Sequence, residues 1–327
     1  MCSRHIWAPT LTSSLVEAAI ASPATRIEPM IHPSLTLTAQ AHCIWPLGAT
    51  LGEGATWSVR EQAVYFVDIL GRRLHRYKPA DGQRRSWAFD EEITALAERR
   101  EHAGLLVSLR QDLALFDPET GHLQRLHRPE PDRPDNRLND GKCDAAGRWW
   151  IGSTDFQCEA ATGALYRYHE GRCERMRDGI HISNGPVWSA DGTQMFLNET
   201  GALRTWRHAF DPHTGELGPA ELWLQHDEAD GAPDGMVTDS AGCIWIARWG
   251  GAKITRHDET GALVGQVTLP TQFITSACFG GKDLRTLYIT SALGELTSEQ
   301  LKDQPLAGGL FAVELEIDGP QAAAFAG

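Results

Sequence analysis

The chain has 327 residues, 42% of them hydrophobic and 22% charged, with a formal net charge of −13. That acidic balance disfavours nucleic-acid or anionic-membrane partners, since both surfaces are themselves negative. Seven cysteines with no CxxC pair make neither a disulfide framework nor a thiolate zinc site and point to a reducing, cytoplasmic setting, while no apolar run approaches the roughly 18 residues of a membrane span.

Residues 1–35 read as a disordered N-terminal extension. Arg4 and the small-residue stretch "AIASPA" suggest a secretory leader, but Glu17 interrupts its apolar core. Met30 is an alternative start. Residues 36–327 read as one domain.

From there one turn-plus-strand signature recurs. It begins at Ser58 ("SVREQAVYFVD"), Glu98, Asp144 ("DAAGRWWIGS"), Ser189 ("SADGTQMFLNE"), Asp239 ("DSAGCIWIAR") and Gly280 ("GGKDLRTLYIT"). The spacing is about 45 residues, in the range of propeller blades. A second, Gly-ended turn interleaves with it, at Gly82, Gly121, Gly171, Gly215, Gly261 and Gly319. Two hairpin turns per repeat mean about four strands. The fold class is therefore all-β, a six-bladed β-propeller with four-stranded blades. The stretch "LTLTAQAHCIWPL" from Leu35 is expected to pair with "GGLFAVELE" (residues 308–316) in one blade and so close the ring.

In a propeller the innermost strand of each blade lines a central channel, so equivalent positions converge. Counting back about 11 residues from Tyr65, Leu105, Trp150, Phe196, Trp245 and Leu287 gives Glu53, Thr94, Asn139, Asn184, Asp234 and Ser276 or Thr275. Every one bears oxygen. Asn-Gly and Asp-Gly are common turn dipeptides, but Glu53 is a poor turn residue, and the shared register argues for a site. Several oxygen ligands at one channel mouth suit a hard divalent cation.

The stretches "LGEGATW", "NRLNDGKCDAAGRWWIGS", "HISNGPVWSADG", "PDGMVTDSAGCIWIA" and "CFGGKDLRTLYIT" resemble the senescence-marker-protein / gluconolactonase / regucalcin-like family. The resemblance runs from about Leu51 to the C-terminus. It implies a six-bladed propeller with one divalent metal (Ca, Zn, Mn, Mg or Fe) at the channel. The family's metal ligands match Glu53, Asn184 and Asp234, and its substrate-contacting Arg and Asn match Arg137 and Asn139. Where some members carry a Glu after the "GT" segment, this chain has Asp155 and Gln157 in "GSTDFQCEA".

The implied activity is hydrolysis of a sugar-acid lactone, with Asp234 as the general base. Two alternatives stand beside it: a promiscuous esterase or phosphotriesterase on the same metal site, and a non-catalytic calcium-binding propeller. The expected partner is a small sugar lactone, with no nucleic acid and no membrane, and the chain a monomer or weak homodimer. No GxSxG nucleophile elbow occurs. Cys143 and Cys243 read as buried strand-entry residues and His181 as a satisfied strand histidine. The loop from Gln225, with Asp227, Glu228 and Asp230, reads as a solvated channel rim. A short helical excursion is expected after Ser291.

Overall fold

The computed structural model describes residues 35–294 and 296–327; the expected N-terminal extension lies outside the described residues except for its last one. Six sheets radiate from a ring. Their innermost strands are Gly52–Ser58, Ile93–Glu98, Asn136–Cys143, Ser183–Trp188, Ala232–Thr238 and Ile274–Gly280, which define blades one to six. Each innermost strand contacts the next, and the sixth returns to the first. The six-bladed propeller stands.

Packing follows strand alternation. Trp149 and Trp150 are both fully buried neighbours on one strand, and their side chains leave opposite faces of the sheet. Trp149 joins the apolar layer between blades two and three; Trp150 joins the layer between three and four. Four further layers fill the remaining gaps, with Tyr65 and Val107 between blades one and two and Trp57 and Tyr288 between six and one. The core is thus a ring of wedges rather than one centre. The recurring turn has a buried device. Asp144 accepts the Trp150 indole N–H at 2.9 Å and Asp239 accepts that of Trp245 at 2.8 Å, each also pairing with an arginine, Arg148 or Arg256.

Closure differs in part from expectation. His42–Trp45 pairs antiparallel with Leu310–Glu314 in blade six, as the sequence suggests. Leu37–Gln40, however, runs parallel to Leu263–Thr268 and adds a fifth strand to blade five. The chain turns at Ala41, whose N–H bonds the Thr268 carbonyl, so one short stretch sews two blades together. The turn at Gly319 is also not a hairpin. After Glu314 the chain leaves the sheet, and Phe325 bonds Glu98 and Arg100 of blade two and its vicinity. The helical excursion is present at Ser298–Asp303, capped reciprocally by Thr297 and Gln300.

Candidate metal and substrate site

The six in-register positions all fall on innermost strands. In every blade the ladder between the first two strands shifts register close to that position: Glu53/Thr56, Ile93/Ala95, Leu138/Gly141, Asn184/Val187, Pro233/Met236 and Ile274/Ser276. Such irregularities unpair a residue and re-aim side chains, and they recur beside active sites. Glycines permit them. Gly54 and Gly185 have φ of 61° and 78°, a region other residues avoid.

The same local geometry holds the acids. The Glu53 carboxylate accepts the Gly54 N–H at 3.1 Å, and Asp140 accepts the Gly141 N–H at 2.8 Å and the Gly185 N–H at 3.1 Å. The Gly235 N–H likewise favours the Asp234 carboxylate. Glu53, Asp140 and Asp234 are 7%, 4% and 5% exposed. Burial pushes the Glu53 carboxyl well above the usual carboxylate range, and the charges of Asp234 and Asp140 push it further. Asp234 is raised the same way, by burial first and by Asp140 second, with Arg137 opposing. Asp140 is raised by burial, against the nearby Lys142 ammonium.

The amides are oriented without ambiguity. Asn184 Nδ2 donates to Thr200 Oγ1 at 2.8 Å, and the Thr200 hydroxyl donates to the Pro233 carbonyl at 2.7 Å. Asn184 Oδ1 therefore lies on the other side of the amide, where Asn139 Nδ2 donates to it at 2.8 Å. Asn139 also donates to the Ser183 carbonyl, and its Oδ1 accepts from Arg137. Glu53, Asn139, Asn184, Asp234 and Arg137 are thus brought together. Thr94 and Thr275 donate to backbone carbonyls, of Ser108 and Gly52.

Asp140, Lys142, Asn198 and Thr200 escaped the sequence reading. Strand alternation sets Asp140 opposite Asn139, and only the register shift lets both reach blade four. His181 is not a strand residue: it lies between strands, with Nε2 3.0 Å from the Cys158 carbonyl. Cys143 and Cys243 are buried as expected. In the rim loop Asp227, Glu228 and Asp230 are exposed, but His226 is buried, which corrects its reading as solvated.

Two buried carboxylates that repel one another, with the Asn184 amide oxygen, are oxygen donors of the kind hard divalent cations take. Among the described residues no three His, Cys, Asp or Glu side chains gather as a metal cluster; this set needs Asn184 as its third member. A cavity of about 530 Å³ lies elsewhere along the channel, lined by Lys142, Val187, Val237 and Ala277, and the three acids do not line it.

A six-bladed propeller with an acid-and-amide cluster in its channel defines the class. Within it, a family model described as "SMP-30/Gluconolactonase/LRE-like region" matches residues 51–293, and the chain belongs to that family. It is 35% identical over 287 residues to 6-deoxy-6-sulfogluconolactonase of Pseudomonas putida, spanning 87% of this chain and 98% of that protein. It is 33% identical over 301 residues to L-arabinolactonase of Azospirillum brasilense, spanning 91% and 98%. Among solved structures, a calcium-binding protein, regucalcin, from Agrobacterium tumefaciens superposes with a TM-score of 0.86 at 29% identity, covering 90% of this chain and 99% of that one.

Proposed function

We propose that this protein hydrolyses a sugar-acid lactone to the free aldonic acid, using one divalent cation held by Glu53, Asn184 and Asp234. The observation that carries the reading is the convergence of those three side chains with Asp140, Arg137 and Asn139 from four different blades. Relatives named for sulfogluconolactone and arabinolactone support the substrate class, and a calcium-binding structural relative supports the cation.

When bound, the cation would polarise the acyl carbonyl and acidify water. The chain's residues do the rest. Asp234, a buried carboxylate of the same site, takes the proton from the attacking water. Water oxygen bonds to the acyl carbon, the ring C–O bond breaks, and the released ring oxygen takes up the proton that Asp234 removed from water, leaving as a hydroxyl. Arg137, buried and fixed on Asn139, supplies donors toward charge that develops on the carbonyl oxygen. Asn139 holds Asn184 in the orientation that presents its oxygen.

The test is acid release from pentono- and hexonolactones, with chelator and after adding back Ca²⁺, Mn²⁺ or Zn²⁺. Chelator-sensitive release is the expected result. Cation binding without release from any lactone favours a binding propeller instead.

A further inference from the structure

We propose that Arg248, His226, Thr205 and Asn198 form a one-directional hydrogen-bond relay that positions the Asp234 peptide and thereby sets how tightly the channel site holds its cation. The proposal rests on the reading of Asp234 as a ligand.

The relay starts at a buried guanidinium. Arg248 is 3% exposed and lies across the strand pair from Pro233. Its three donor directions meet Thr255 Oγ1 at 2.8 Å, His226 Nδ1 at 2.8 Å and His257 Nε2 at 3.1 Å. His226 Nε2 is 2.7 Å from Thr205 Oγ1, which is 2.6 Å from Asn198 Oδ1. Asn198 Nδ2 ends the chain at the Asp234 carbonyl, 2.5 Å away.

Every donor in this chain is determined. A carbonyl oxygen only accepts, so the Asn198 nitrogen faces Asp234 and its oxygen faces Thr205. The single Thr205 proton goes to that oxygen, so Thr205 must accept from His226 Nε2–H. His226 Nδ1 is then bare and accepts from Arg248. The second imidazole agrees. His257 Nδ1 lies 3.0 Å from the Gly261 carbonyl, so it carries the hydrogen and leaves Nε2 bare for Arg248. Both rings are neutral: burial and the Arg248 charge hold His226 down to about 2 and His257 to about 4. Each bond points the same way, from a fixed positive charge to one carbonyl, so each polarises the next.

The far end matters because of the peptide it grips. The Asp234 carbonyl and the Gly235 N–H belong to one peptide unit. Asn198 holds the oxygen end of that unit, at the backbone of the residue whose side chain is the proposed ligand. Thr200 holds the preceding carbonyl, that of Pro233. Blade four therefore clamps two successive carbonyls of blade five, on either side of the Asp234 side chain. Groups that orient ligands in this way typically change metal affinity by about 10- to 100-fold when removed.

The experiment titrates the full chain with Ca²⁺ or Mn²⁺ alone, by calorimetry, after metal removal. Thr205→Val, nearly isosteric, and Asn198→Leu should each raise Kd about tenfold or more, and Thr205→Ser should restore it. The double variant should be no worse than the worse single one, because both cut one chain. Lactone turnover in Thr205→Val should recover at high metal concentration. If Thr205→Val and Asn198→Leu bind the cation within about twofold of wild type and merely unfold at lower temperature, the relay is structural only and the proposal fails. If Asn198→Leu does not fold, Thr205→Val decides alone. Asp234→Asn separates the two readings: wild-type affinity there overturns Asp234 as a ligand, and with it the relay's purpose. Loss of affinity there, with none in Thr205→Val, overturns the relay only. A wild-type chain that binds neither cation overturns both.

Discussion

Asn139 of blade three donates its side-chain amide to Asn184 Oδ1 of blade four at 2.8 Å, while Arg137 donates to the oxygen of the same Asn139 amide. One side chain thus links the arginine proposed to meet substrate with the amide proposed to hold metal.

That link changes what removing Asn139 should do. If Asn139 were a substrate contact alone, Asn139→Ala would impair substrate use and leave metal bound. With the contact to Asn184 present, it should also weaken cation binding by roughly tenfold and lower kcat/KM by about 100-fold or more. Calorimetry and steady-state kinetics on one preparation measure both; unchanged cation affinity would show that Asn184 needs no such support.

Asp234→Ala should abolish both cation binding and turnover, with turnover lower by about 1,000-fold or more. The fold should persist, since Asp234 belongs to none of the apolar layers between blades. Full activity in this variant would remove Asp234 from the site.

Acid should destabilise the chain through its buried imidazoles. His75 is 1% exposed, stacked on Phe66 with ring centroids 5.0 Å apart. Burial pulls its pKa from 6.5 to about 4. The folded state keeps the ring neutral while the unfolded chain takes up a proton below 6.5. The contribution is therefore complete above pH 6.5 and is lost as pH falls from there to about 4. At about 1.4 kcal/mol per pKa unit the loss is roughly 3 kcal/mol. His257, also near 4, adds to it in the same window. Tm should drop over this range, and less so in His75→Phe than in wild type. Parallel Tm-versus-pH curves for the two would contradict the assignment.

Ring closure should depend on the stretch that spans two blades. Trp45, 8% exposed, is buried between blades six and one beside Phe66. Trp45→Ala should cost roughly 3–5 kcal/mol, and deletion of residues 35–46 should cost more, because it also removes one strand from blade six and one from blade five. Denaturant unfolding measures this; unaltered stability of the deletion would mean the ring closes without it.

Much of this was legible in the chain itself. The turn-plus-strand repeat follows from local chemistry: polar Gly-bearing turns and short β-branched or aromatic runs form hairpins wherever they occur. Equal spacing then fixes the blade count, and a common register places Glu53, Asn184 and Asp234 on equivalent strands. Repetition is what made distant residues comparable. Where the repeat is imperfect, at Leu37–Gln40 and at Gly319, local signals named a strand and a turn but not their partners.

Only the folded ring decided the rest. Asp140 enters the site because a register shift between Leu138 and Gly141 overrides strand alternation, and nothing in "NDG" states that shift. His226 looked like a rim residue until the sheet buried it against Arg248. The direction of each bond from Arg248 to Asp234 depends on which acceptor lies opposite which donor, across strands dozens of residues apart. Hydrogen-bond polarity is a property of pairs in space; a one-dimensional sequence carries the groups but not their pairing.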